Sequence, residues 1–497
     1  MGINSSVFST PTNVMAMGHP FITPPYNTIL GIPLGIDIRS RRLVYFDPWM
    51  LKNAGIINSA FGMILGPKNH GKSATLKIIA IRLMMLAAGY DMMRTAINDY
   101  KPEGKSSEYA QFSQVCGSTV FRIATMSVNP FEANLYKQRG NESYELGLLG
   151  TAETLCEFAK RSDLTGNENT ALRVAVFVML QQDELLWTPQ VLFKLLRSIS
   201  NSQIEDYFRT IDSKLKVGLE KRLDGIKSLE NRELIEAKLT GIVSARDNHE
   251  LADISAAADQ VSTYLGDILT GSYGHMFGDS HSLYDMLTQR AITKDWRGVE
   301  PEAETLMRII DTRIKVSAIE NNRIDLLPHI ELDDEKHKSM DNMVYARSHS
   351  YFSEIARGTH TCNLSATHRF DSIRKGGVGS ELYGLGNTII NNLGFVLIGQ
   401  QPDDPKILDE IQARYELSHE DTRALSALPR YTFGMKLGEA EPLRFIRVFA
   451  TRMELAMLGT NSSTDRMIDR PDVLSEQHLA RFGKQNALAL IGMENDD

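Results

Sequence analysis

"FGMILGPKNHGKSATLKIIAIRL", residues 61–83, decides how this chain folds. Phe61 to Gly66 is a short apolar run, which predicts a buried strand that ends at the glycine. From Ser73 onward Leu76, Ile79, Ala80, Leu83 and Leu86 recur at helical spacing, and Gly89 is the expected stop. Between strand and helix, Gly66, Gly71, Lys72 and Ser73 match the spacing G-x-x-x-x-G-K-[ST]. The spacing has a physical reason. A loop that wraps a phosphate must turn its backbone N–H groups inward, and glycine reaches the required dihedrals without a Cβ clash. The helix that follows aims its unpaired N–H groups and partial positive charge at the same anion. Gly66, Pro67, Lys68, Asn69, His70, Gly71, Lys72, Ser73 and Ala74 are therefore the candidate cradle for ATP. Lys72 is expected to reach the β- and γ-phosphates, and Ser73 to ligate Mg²⁺. His70 reads as a solvent-facing loop histidine, with a phosphate contact as the alternative. The competing reading of the whole stretch is a glycine-rich turn with an incidental lysine.

A phosphate loop needs an acid at the end of a later apolar strand. "DLLPHIELDDE", residues 325–335, is the best candidate. Asp334 is expected to hold Mg²⁺ through water, and Glu335 to orient or deprotonate the attacking water. Asp333 blurs the register, and Pro328, His329 and Glu331 interrupt the apolar character, so a charged turn is the alternative. Asp99, at the end of "RTAIND", is the rival acid. "LSATHRFDSI", residues 364–373, sets polar residues at another strand end, where ring ATPases sense the γ-phosphate. His368 is the candidate sensor, Thr367 the alternative, and a purely structural histidine the competing reading.

The rest of the chain sets the frame. Its 497 residues exceed one compact core, and 42% hydrophobic with 23% charged residues is ordinary for a globular protein. A formal net charge of −8 argues against a surface that grips nucleic acid everywhere. Cys116, Cys156 and Cys362 are odd in number and widely spaced, which fits a reducing cytoplasm rather than a disulfide framework or zinc site. No long apolar run or secretory signal is apparent, so no membrane span is expected. Gly2 and Ser6 fit a short, common myristoylation pattern.

Strand-like and helix-like runs alternate on both sides of a long helical stretch. The expected class is an α/β P-loop fold with a mainly parallel central sheet flanked by helices, plus an all-helical insertion. The boundaries read as an N-terminal arm (1–45), a first part of the core (46–131), the insertion (132–285), a second part of the core (286–458) and a C-terminal tail (459–497).

With these residues in hand, the chain resembles the conjugation and type IV secretion ATPases of the HerA–FtsK class, especially their VirB-type members. A strand ending in Asp99, then Glu108 and Tyr109, then "NPF" (Asn129 to Phe131), is similar to the family's "D…EY…NP" order. The acid pair Asp334 and Glu335 follows the insertion. "SATHRFDSI" resembles the family's "ATQ…D" strand end, with Asp371 at its aspartate and His368 where the family has glutamine. The family's large N-terminal domain is reduced here to about 45 residues. The resemblance implies a RecA-like core and a homo-oligomeric, hexameric ring that hydrolyses ATP with Mg²⁺. It also implies an arginine in trans, for which Arg347, Arg357 and Arg374 are candidates. DNA and components of a secretion or conjugation apparatus are the candidate partners. A loop carrying Arg374 and Lys375, and basic residues Lys214, Lys216, Lys221 and Arg222, are candidate DNA contacts, with an exposed turn and a solvated helix face as alternatives. The expected location is cytoplasmic, peripheral at the inner face of a membrane complex.

Overall fold

The computed structural model describes residues 31–88, 94–100, 102–103, 106–107, 109–136, 144–223, 248–320, 329–334, 339–451 and 454. Its strands, in chain order, are β1 (Ile32–Asp37), β2 (Leu43–Phe46), β3 (Gly62–Leu65), β4 (Arg94–Asp99), β5 (Pro102–Glu103), β6 (Ser106–Ser107), β7 (Thr119–Arg122), β8 (Ala291–Asp295), β9 (His329–Asp334), β10 (Thr361–Thr367), β11 (Phe395–Ile398), β12 (Thr432–Leu437) and β13 (Arg444–Val448). Apart from a small β5–β6 hairpin, they form one sheet in the order β2-β1-β13-β12-β11-β3-β10-β9-β4-β8-β7. From β11 to β7 every neighbouring pair is parallel. Each parallel step needs a crossover of a dozen or more residues, and the helix-like runs between strands supply them.

Beyond β11 the sheet turns antiparallel through β12, β13, β1 and β2. This extension corrects the sequence reading twice. "TFGMKL" is a strand that was not expected. Ile32–Asp37 is a strand where an arm was expected, and it pairs with Leu43–Phe46, which lies in the stretch 41–49 that reads from sequence as a strand and turn. Short connections decide both cases. Residues 38–42 can only join antiparallel neighbours, and Arg41 takes a left-handed φ of 56° in that turn.

The helix Lys72–Ala88 lies on one face of the sheet. Leu76, Ile79, Ala80 and Leu83 join Ile64, Ile97, Ile330, Leu332, Leu364, Ala366 and Leu397 in one buried cluster. Burying a side chain of this size stabilises by about 1.5–3 kcal/mol. Leu86, expected on that face, is 48% exposed. Glu331, the apparent blemish in β9, is resolved by its neighbours. Successive strand residues face opposite ways, so Glu331 sits on the face away from Ile330 and Leu332. There Asn98 Nδ2 donates to Glu331 Oε1 at 3.1 Å and Asn363 Nδ2 to Glu331 Oε2 at 3.3 Å.

Two compact units divide the chain. The first, residues 1–125, 288–305 and 324–497, carries the sheet. A buried ion pair holds the end of its described chain. Arg82 of the helix Lys72–Ala88 grips Glu454 with Nε–Oε1 at 2.6 Å and Nη2–Oε2 at 2.8 Å, and also donates to the Pro33 and Phe449 carbonyls. Thr451 and Glu454 exchange a capping-box pair of hydrogen bonds. Removing one member leaves the other charge buried alone. Glu454→Ala should therefore lower the unfolding free energy by about 3 kcal/mol in urea titrations, and adding Arg82→Met should recover part of it.

The second unit, residues 126–287 and 306–323, is helical among its described residues, apart from isolated bridges from Val128 to Phe277 and His281. Helices Gly166–Leu180 and Pro189–Arg197 start at Thr165 and Thr188, whose side chains cap the first turn. Residues 306–323, assigned from sequence to the core, cluster with this unit. Arg313 packs so closely on Gly150 that a Cβ there would overlap its guanidinium. No described helix is long and apolar enough to cross a membrane. The myristoylation pattern, the tail from 459 and the expected helix stop at Gly89 lie outside the described residues, as do the side chains of Lys214, Lys216, Lys221 and Arg222.

Candidate functional site

The parallel arrangement brings four strand ends into line. Leu65 of β3 pairs with Thr367 of β10 on one side and Ile398 of β11 on the other, and Asp334 of β9 pairs with Ala366 of β10. The segments that follow, from Gly66, His368 and Gly399, open at one edge. In open α/β sheets this carboxyl edge is where ligands bind.

The loop itself has the backbone of an anion cradle. Gly66 has φ +153°, Asn69 +64° and Gly71 +91°. Asparagine tolerates the left-handed region better than most residues. Gly71 has a second constraint, because a Cβ there would lie 2.4 Å from the Tyr431 ring. Gly71→Ala should combine backbone strain of about 1–3 kcal/mol with a steric clash. The expected results are a lower melting temperature and at least a tenfold loss of ATP-analogue affinity by calorimetry, an order-of-magnitude figure equivalent to about 1.4 kcal/mol.

His70 is 4% exposed, not solvent-facing as the sequence suggested. Its carbonyl accepts from the Tyr431 N–H at 3.3 Å, its Nε2 accepts from the Gln400 N–H at 3.3 Å, and its ring meets Phe433 edge-on. Burial holds its pKa below the ordinary value, with the Lys72 and Arg430 charges adding to the effect. The imidazole is then neutral near pH 7, as an Nε2 acceptor requires. His70 thus ties the loop to the ends of β11 and β12. Nothing in the linear chain marks Gln400 or Tyr431 for this contact, because both lie more than three hundred residues away.

Lys72 Nζ donates to the Pro67 carbonyl at 2.9 Å and stands 3.4 Å from His368 Nδ1. The same His368 nitrogen lies 3.4 Å from the Gly66 carbonyl. Ser73 Oγ donates to Asp334 Oδ2 at 2.5 Å across 261 positions of sequence. The structure therefore brings together the loop, Asp334 and His368. Asp99 ends β4, one strand further from β3 than Asp334. Glu335 lies outside the described residues.

These residues fit a magnesium nucleotide. The loop offers a backbone with left-handed turns at Asn69 and Gly71 and the Lys72 ammonium. Ser73 and Asp334 are hard oxygen donors already in contact, and Mg²⁺ selects such donors while relying on phosphate and water for the rest of its shell. The buried Thr367 hydroxyl beside them has no hydrogen-bond partner among the described residues.

The arginine candidates separate. Arg374 is buried, paired to Asp371 at 2.7 Å and Glu410 at 2.5 Å, with Tyr383 under its guanidinium. It is thus committed within its own chain, which corrects the reading of it as a DNA-tracking loop residue. Arg347 pairs with Glu381 at the surface, and Arg357 donates to Asn392. Lys375 lies 3.3 Å from the exposed Asp341 carboxylate.

No protein-family model matches the chain, and no curated protein matches it. Solved structures do. VirB4 of Thermoanaerobacter pseudethanolicus superposes at TM-score 0.56 with 18% identity, over 86% of this chain and 98% of that one. The plasmid coupling protein TrwB aligns more loosely. In complex with a non-hydrolysable ATP analogue it gives TM-score 0.48 with 12% identity over 86% of this chain and 96% of that one. With ADP and Mg²⁺ it gives 0.46 with 12% identity over 80% and 86%. The protein thus has the α/β P-loop fold of VirB4, and the resemblance to the VirB-type ATPases read from its motifs extends to the architecture of the chain.

Proposed function

We propose that this protein is an ATP-hydrolysing motor of the conjugation and type IV secretion kind, driving DNA or protein through a hexameric ring. The observation that carries the reading is the Ser73–Asp334 contact beside a left-handed glycine loop. It joins the two residues that a magnesium nucleotide requires, on a fold shared with VirB4.

In this reading residues 66–74 hold the phosphates through backbone amides and the helix N-terminus. Lys72 leaves the Pro67 carbonyl for the β- and γ-phosphates. Ser73 and Asp334 hold Mg²⁺, which when bound neutralises charge on the transferring phosphoryl group. Glu335 orients or deprotonates the attacking water. His368, between Lys72 and the Gly66 carbonyl, reports the state of the γ-phosphate. An arginine from a neighbouring subunit, Arg347 or Arg357, completes the charge stabilisation. The ring works in the cytoplasm against a membrane complex.

Purified protein should turn over ATP only with Mg²⁺, form a particle of hexameric mass with an ATP analogue, and speed up with single- or double-stranded DNA if DNA is its cargo. Absence of turnover under all conditions would sink the motor reading. One observation favours a second reading, a nucleotide-switched assembly protein with slow hydrolysis: His368 occupies the position of the family's glutamine. Nucleotide-dependent assembly with slow, DNA-insensitive turnover would select it.

A further inference from the structure

Asp334 has a second neighbour besides Ser73. The Tyr109 hydroxyl lies 3.5 Å from Asp334 Oδ2, the same oxygen that Ser73 holds at 2.5 Å. Tyr109 is 1% exposed and crosses Phe112 edge-to-face. Under its ring, 4.3 Å from the centroid, stands the ammonium of Lys77, itself fully buried. Lys77 follows Ser73 by four residues, so both project from the same face of one helix. One turn of the loop helix therefore presents the hydroxyl that touches the carboxylate and the cation that holds the tyrosine.

The geometry points to Tyr109 as a positioning residue for the metal-holding carboxylate, with Lys77 fixing its ring. This rests on the nucleotide-binding reading above. When the Ser73 hydroxyl turns from Asp334 toward Mg²⁺, Asp334 Oδ2 loses its short hydrogen bond. The Tyr109 phenol is already within reach of that oxygen and takes over as donor, so the carboxylate keeps its aim. Lys77 contributes in two ways. A cation over an aromatic face is attracted to the ring, which locks its orientation. It also draws electron density from the ring, which makes the hydroxyl a stronger donor. Tyr109 touches no reacting atom; it acts through Asp334.

The test is metal affinity rather than turnover. Mn²⁺ binding to the full chain with ADP is read by electron paramagnetic resonance, alongside metal-free ADP affinity and thermal unfolding. Tyr109→Phe keeps the ring and removes only the hydroxyl. It should weaken Mn²⁺ about three- to tenfold, the worth of one hydrogen bond, with metal-free ADP affinity and melting temperature unchanged. Lys77→Met should weaken Mn²⁺ in the same direction and Lys77→Arg should restore it, since arginine keeps a cation at the ring. Mn²⁺ affinity within twofold of wild type in Tyr109→Phe overturns the inference while leaving nucleotide binding intact. Wild-type protein that holds no Mn²⁺ with ADP overturns both this inference and the proposed function. Should Tyr109→Phe fail to fold, the Lys77 pair decides, and equal Mn²⁺ affinity in Met and Arg variants overturns the role.

Discussion

Lys72→Ala should cut ATP turnover by about 10²- to 10³-fold, the range seen when one charge-stabilising group is removed from a phosphoryl or oxyanion site. The variant should still fold. In the resting structure Lys72 donates to the Pro67 carbonyl at 2.9 Å and stands 3.4 Å from His368 Nδ1, and a hydrogen bond of this kind is worth about 1 kcal/mol. Two effects offset that loss. A cation in the first turn opposes the helix dipole, and alanine is the better helix former. Steady-state turnover and a melting curve on the same sample separate the outcomes. Wild-type turnover in a folded variant would show that the loop does not serve hydrolysis.

Asp334→Asn should come next in size, with turnover down about 10²-fold and the Mg²⁺ concentration for half-maximal activity raised. The amide keeps an acceptor oxygen for the Ser73 hydroxyl, so the contact that organises the resting site survives. What disappears is the negative charge that a hard divalent cation selects. A magnesium titration of turnover is the measurement, and an unchanged half-saturation point would remove Asp334 from the metal site. Asp99→Asn is the matched control. Asp99 ends β4, a strand farther from β3, so its substitution should leave the magnesium titration where it is.

Much of the architecture could be read locally because the deciding signals are local. The run from Phe61 to Leu83 carries a strand, a glycine turn and a helix within one window, and the alternation of such runs along the chain implies a parallel sheet with helices on its faces. The run at 395–398 is wholly apolar, as a strand buried on both faces can be, whereas those at 94–99, 291–295 and 361–367 mix apolar with buried polar residues and read as strands from their short length and place between helix-like runs. β1 and β12 were missed for the converse reason. Both hold Pro, Gly or Lys, and both lie in the antiparallel extension, where each pairs with its next neighbour in the chain, β1 with β2 and β12 with β13. The strand at β9 was read correctly despite Glu331, and what the sequence could not show is that Asn98 and Asn363, on other strands, satisfy that carboxylate.

The sequence by itself determined which residues could form a phosphate cradle, since loop dihedrals and helix start depend on neighbours within a few positions. Only the tertiary structure decided which acid meets Ser73, that His70 is a buried tie to β11 and β12, and that Arg374 is committed to its own chain. The Ser73–Asp334 and His70–Gln400 contacts join residues more than two hundred and sixty positions apart, and Arg374 adds Glu410 to its near neighbour Asp371; such distant partners are chosen by tertiary packing rather than by anything written near them in the chain.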